Sequence, residues 1–170
     1  MNILSKFLAI GALLAVSACT GSNGFGNRGL DASGGAGGEI SDGSASDPTS
    51  IAFFQQSVGD RVVFVVDQSS LTDEARSILG AQAEWMMSNP DYNAIIEGHA
   101  DEQGTREYNL ALGARRANAA REYLVSRGVA NSRLRVVSFG KERPIEICSA
   151  ESCYAKNRRA VTLLSSDLTG

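Results

Sequence analysis

The sequence predicts an α+β domain: a mixed β-sheet with helices packed on one face. Three observations carry this. Short Val/Ile-rich runs recur between longer stretches with helical periodicity. A helix-start signal at Thr72 opens the first long helical stretch, and Gly128 ends the second. The chain closes on two strand-like runs in succession, giving the order strand, helix, strand, helix, strand, strand.

The first strand is expected over Arg61–Val66, a Val-rich run suited to a buried position. Thr72 can cap the first helix, with Asp73 and Glu74 favouring the positive end of its dipole. That helix carries Ala75, Leu79, Ala83 and Met86 inward and stops near Asn89-Pro90. Trp85 and the Met86-Met87 pair read as core or edge packing. Asn93–Gly98 is the second strand. The long helix runs from about Arg106 to Arg127 and is ended by Gly128. Leu110, Gly113, Ala117, Ala120 and Leu124 form its inward stripe, with small residues that permit close packing on a sheet. Arg133–Phe139 and Ala160–Leu164 are the last two strands.

The region ahead of this domain divides in two. Lys6 gives a positive start, Phe7–Val16 is apolar, and the run ends Val16-Ser17-Ala18-Cys19. Ten apolar residues are too few to span a bilayer, which takes roughly 20, and suit a signal-peptide core. Small residues before a cysteine form a lipobox, so residues 1–18 are expected to be removed and Cys19 to be lipidated. Three acyl chains at ~0.8 kcal/mol per buried methylene make such an anchor effectively permanent. Residues 19–50 follow as a tether: of the 31 residues from Thr20 to Ser50, nine are Gly and six Ser. Such a tract buries no core and reaches roughly 30 Å on average. The folded domain is expected over residues 51–170.

A formal net charge of −3 argues against a nucleic-acid binder, which usually shows a strongly basic face. A single histidine, His99, rules out a histidine-based metal cluster within one chain. No Gly-x-Ser-x-Gly is present and nothing marks out a nucleophile with its base, so no enzyme activity and no cofactor are expected. Cys148 and Cys153, five apart in a loop of an exported protein, are expected to pair.

The candidate binding segment is Glu97-Gly98-His99-Ala100-Asp101-Glu102-Gln103-Gly104-Thr105, then Tyr108-Asn109, Leu112 and Arg115-Arg116-Ala117. Asp101 leaves the second strand and Gly104 permits a turn into the helix. Asn109, Leu112 and Arg116 share one helical face at i, i+3, i+7. A carboxylate and a guanidinium so placed suit a zwitterion: Asp101 for an ammonium, Arg116 for a carboxylate. Asp101 is equally a plausible turn cap. Arg115 reads as a surface charge, His99 as a packed strand-end residue, and Arg158 and Arg159 as ion-pairing residues at the sheet edge.

This segment, with Phe139-Gly140-Lys141-Glu142-Arg143-Pro144 and Asn157-Arg158-Arg159-Ala160-Val161, resembles the OmpA-like domain family over roughly Val62 to Leu164. With the lipobox and tether, the chain is most similar to the family's wall-associated lipoproteins of the Tol–Pal system. The resemblance implies an outer-membrane lipoprotein, facing the periplasm, that binds the meso-diaminopimelate of peptidoglycan stem peptides without covalent chemistry. Asp101 and Arg116 match the family's acid and base for that ligand, Asn109 a contact and Leu112 a wall. Asp67, expected at the end of the first strand, matches the aspartate of the family's Phe-x-Phe-Asp pattern. Here Val66 stands where an aromatic is usual, so the packing beside Asp67 is open. The implied partners are TolB and, indirectly, the inner-membrane Tol complex of the envelope and cell-division machinery. An adaptor acting mainly through such protein partners is the alternative.

Overall fold

The computed structural model describes residues 43–165. The expected signal peptide, Cys19 and most of the expected tether lie outside the described residues. In chain order, α1 (Ile51–Phe53) continues as a π-helical turn (Phe54–Gly59). β1 (Arg61–Val63), α2 (Asp73–Ser88), β2 (Asn93–His99) and α3 (Arg106–Ser126) follow. A 3-10 turn (Asn131–Arg133) leads into β3 (Leu134–Gly140), and α4 (Glu151–Asn157) precedes β4 (Arg159–Ser165).

The four strands form one mixed sheet in the order β1-β4-β2-β3. β4 runs antiparallel to both β1 and β2, while β2 and β3 are parallel and joined through α3. Alternation then sorts the side chains. Val62, Ala94, Ile96 and Ala160 face the helices and are buried with Leu79, Ala83, Met86, Ala117, Ala120 and Leu124. Thr162 lies on the same face, where its hydroxyl donates to the Gln82 side chain of α2 at 2.8 Å. The expected α+β class, a mixed sheet with its helices on one face, is what the chain adopts.

The seam between β2 and α3 is set by two glycines. A Cβ on Gly98 would lie 1.8 Å from the Gly113 carbonyl oxygen, and one on Gly113 would lie 2.5 Å from Ser138 Oγ. Only glycine at both positions lets the helix axis come this close to the strand. This contact positions everything on the first half of α3.

Several expectations need correction. β1 stops at Val63, three residues early, because the chain leaves the sheet: Phe64 N–H still bonds the Arg158 carbonyl at 2.9 Å, but Asp67 takes a positive φ of 55°. Asp67 therefore sits in a turn beyond the strand rather than at its end. Leu110 is 49% exposed and does not belong to the inward stripe, which is Leu112, Gly113, Arg116, Ala117, Ala120 and Leu124. β4 is an interior strand, so Arg158 and Arg159 do not lie at a sheet edge. The packed domain begins before Ile51. Pro48 and Thr49 carbonyls accept from Trp85 Nε1 and Tyr92 Oη at 2.8 and 2.9 Å, and Ser50 caps α1. α1 and α4 were not expected at all. Among the described residues no helix is long and apolar enough to cross a membrane.

Candidate functional site

The site is built where β2 ends and α3 begins. Ala100 N–H bonds the Gly140 carbonyl at 2.8 Å, carrying the chain one residue past the strand to Asp101, which is 8% exposed. Gly104, at φ +89°, turns the chain, and Thr105 caps α3 by accepting from Tyr108 N–H at 3.2 Å. The turn is held from several sides. Asn109, buried, donates to the Gln103 carbonyl at 2.7 Å. Lys141 donates to the Gly104 carbonyl at 2.7 Å, and Asn157 to Glu102 Oε1 at 2.8 Å. Asn109 thus spends its amide on the loop. Asp101 also serves as a turn cap, accepting from Gln103 N–H at 3.2 Å through Oδ1.

Arg116 is fully buried. Its Nε donates to the Gln68 carbonyl (2.8 Å), Nη1 to the His99 carbonyl (2.9 Å) and Nη2 to the Val65 carbonyl (3.2 Å). The guanidinium also lies 5.3 Å from the centre of the Phe64 ring. Three of its five N–H groups are used, which leaves two. Burial pulls its pKa down to about 10, against the pull of Asp101 and Asp67 upward, so it stays charged at neutral pH. The early exit of β1 is therefore part of the site: the turn after Phe64 aims two carbonyls at the arginine. Asp67 is exposed on that turn, accepting from Tyr108 Oη at 3.3 Å. Leu112, buried, stands one turn ahead of Arg116 on α3.

Asp101 does not pair with Arg116. Its partner is Arg158, whose Nη1 donates to Asp101 Oδ2 at 3.2 Å. Arg158, 5% exposed, bonds the Phe64 carbonyl through Nε and Glu151 Oε1 through Nη2. Burial opposes its charge, but Glu151 and Asp101 outweigh that and its pKa is raised. A disulfide joins Cys148 to Cys153 across the start of α4, the helix that carries Glu151. Sequence reasoning placed Arg158 in an ion pair but away from the site, named Tyr108 in the segment without giving it a role, and missed Glu151. The adjacent arginines of the Asn157-Arg158-Arg159 motif were the available signal.

Two neighbours are structural. His99 is buried and stacks on Phe139, and burial together with Arg159 and Arg143 lowers its pKa to about 4. Its 3.4 Å approach to Glu97 is consequently the contact of a neutral ring, not an ion pair. Arg115 is exposed, as expected for a surface charge. A separate cleft of about 460 Å³ opens between α3 and β3, lined by Arg106, Glu107, Leu110, Ser138, Phe139 and Glu142. None of the five expected ligand residues lines it.

The family model that matches this chain is that of the OmpA family, over residues 63–158. The peptidoglycan-associated lipoprotein of Mesorhizobium japonicum is 48% identical over 161 residues, covering 93% of this chain and 90% of that protein. The chain belongs to the OmpA family, among its peptidoglycan-associated lipoproteins. The crystal structure of such a lipoprotein from Burkholderia pseudomallei superposes with a TM-score of 0.63 at 36% identity, covering 71% of this chain and 98% of that one. The C-terminal domain of Helicobacter pylori MotB shares the fold, with a TM-score of 0.59 at 20% identity over 64% of this chain and 86% of that one. The family match spans the residues described above, from the turn at Asp67 to Arg158.

Proposed function

We propose that this protein is an outer-membrane lipoprotein, anchored through Cys19, whose domain grips peptidoglycan without catalysing a reaction. Its ligand is the meso-diaminopimelate of stem peptides, a side chain ending in both an ammonium and a carboxylate. One observation carries this reading. A buried, charged arginine with two uncommitted N–H groups lies under a turn bearing Asp67 and beside the Asp101 carboxylate. In the reading, Arg116 takes the ligand carboxylate, Asp101 the ammonium, and Asp67 the exposed rim. Leu112 backs the aliphatic stem and Asn109 holds the loop. Because Arg116 is sealed, ligand reaches it when segment 65–68 shifts aside and the carboxylate replaces a main-chain oxygen. Relatives named as peptidoglycan-associated support the ligand class.

The Gly/Ser-rich stretch ahead of the domain suits a tether between membrane and wall. The family resemblance extends the proposal to docking by TolB and, through it, the Tol complex that serves envelope integrity and division. The sealed Arg116 favours one second reading, an adaptor that acts mainly through such protein partners.

Co-sedimentation of the full chain with two kinds of sacculi tests the proposal. Diaminopimelate-type walls carry the ligand zwitterion; lysine-type walls lack its carboxylate. The expected result is pelleting with the first kind only, and loss of pelleting for Asp101→Asn. Equal pelleting with both kinds, or none by a folded chain, contradicts wall recognition through Arg116. The second outcome leaves the adaptor reading in its place.

A further inference from the structure

Arg158 stands between two carboxylates. Asp101, on its inner side, is 8% exposed, while the Glu151 side chain on its outer side is 64% exposed. A carboxylate fully neutralised by one arginine has little charge left for a ligand ammonium. An arginine shared with a second carboxylate leaves the first net negative. Glu151 therefore bears directly on how strongly Asp101 can attract a cation.

The disulfide brackets Glu151. Glu151 opens α4, a helix of seven residues that lacks a capping side chain at Ala150. A helix this short is marginal without outside support. Its far end is pinned by Asn157, which donates to Glu102 Oε1 and the Glu146 carbonyl at 2.8 Å each. Its near end has the Cys148–Cys153 bridge. Removing the bridge frees the first turn of α4 and lets the exposed Glu151 swing into water, at a gain in side-chain entropy.

We infer that Glu151, held by the Cys148–Cys153 disulfide, is a positioning residue that draws Arg158 off Asp101 and so keeps Asp101 available to the ammonium of the ligand. The site then weakens its grip on that ammonium when the disulfide is reduced. This rests on the proposed recognition of a zwitterionic stem peptide.

The test measures the affinity of the full chain for two soluble muropeptides. One is a meso-diaminopimelate tripeptide muropeptide; the other is the same compound with its diaminopimelate amine acetylated. The wild type is expected to prefer the free amine by roughly tenfold, as for a charge-assisted contact. Glu151→Gln is expected to shrink that preference to about threefold through the free-amine ligand alone, leaving affinity for the acetylated one unchanged. A merely structural loss would weaken both ligands together. Replacing both Cys148 and Cys153 by Ser should match Glu151→Gln, and combining all three changes should add nothing further. An unchanged preference in Glu151→Gln, with the preference abolished by Asp101→Asn, overturns the role of Glu151 while wall recognition stands. A variant without the disulfide that keeps the wild-type preference overturns the role of the disulfide. No preference in the wild type removes the recognition reading and this inference with it.

Discussion

Near each end of β2 stands an arginine that bonds main-chain carbonyls, and the two differ in what surrounds their charge. At the start of the strand, Arg133 donates from Nε to the Tyr92 carbonyl (2.8 Å), from Nη1 to Met86 (2.9 Å) and from Nη2 to Asn89 (2.9 Å). Those carbonyls belong to the end of α2 and the turn after it, where helical carbonyls lack partners. Arg133 finishes a helix; it makes no ion pair among the described residues within hydrogen-bonding reach. At the other end, Arg116 also binds three carbonyls, but Asp67 and Asp101 act on its charge and Arg158 lies close enough to act against it. Carbonyl contacts alone do not separate a strut from a binding group. The difference is what acts on the charge: Asp91 in one case, Asp101 and Asp67 with the opposing Arg158 in the other.

The comparison can be broken at several points. The largest effect is expected from Arg116→Ala, which takes the donor from three carbonyls, the buried His99 carbonyl among them, and leaves a cavity where a fully buried side chain stood. Chemical denaturation should show a loss of roughly 3–5 kcal/mol. Gly98→Ala follows, since its Cβ would collide with the Gly113 carbonyl; a cost of about 3 kcal/mol is expected in the same assay. Arg133→Ala should cost about 2 kcal/mol and leave sacculus binding per folded molecule unchanged.

His99 gives a pH signature at the site end. Its folded pKa, about 4, lies below the ordinary 6.5, so the unfolded chain binds the extra proton first. Stability from this group is complete above pH 6.5 and is lost as pH falls toward 4, by up to roughly 3 kcal/mol. Replacing His99 by Phe should flatten that part of the stability–pH curve. The smallest effect on folding is expected at Asp67. Asp67→Gly relieves its positive φ and should stabilise by up to ~1 kcal/mol while weakening sacculus binding.

Much of this was legible in the sequence. α2, β2 and α3 follow from the Thr72 cap, the Asn93–Gly98 run and the helical stripe ended by Gly128, because caps and periodicity act locally. β1 was drawn too long because Val65 and Val66 have strand propensity. Their exit is imposed by Arg116, a residue 48 to 51 positions away. Leu110 fitted the 3,4 spacing as well as Leu112 did, and only the sheet decides which one is inside. α4 was hidden because it starts between two cysteines that read as a loop and is only seven residues long. At the site, residue types and positions were readable, but partners were not. Asp101 and Arg116 were read as the two flanks of one spot, whereas the arginine that bonds Asp101 is Arg158, 57 residues away and brought in ahead of β4.

The most direct measurement is an NMR titration of the full chain with a soluble meso-diaminopimelate muropeptide, following the Nε–H signals of Arg116, Arg158 and Arg133. Arg116 and Arg158 should shift together and saturate with the ligand, while Arg133 stays in place. Equal movement of Arg133, or silence at Arg116 while ligand binds elsewhere, would contradict the assignment of the site to the end of β2.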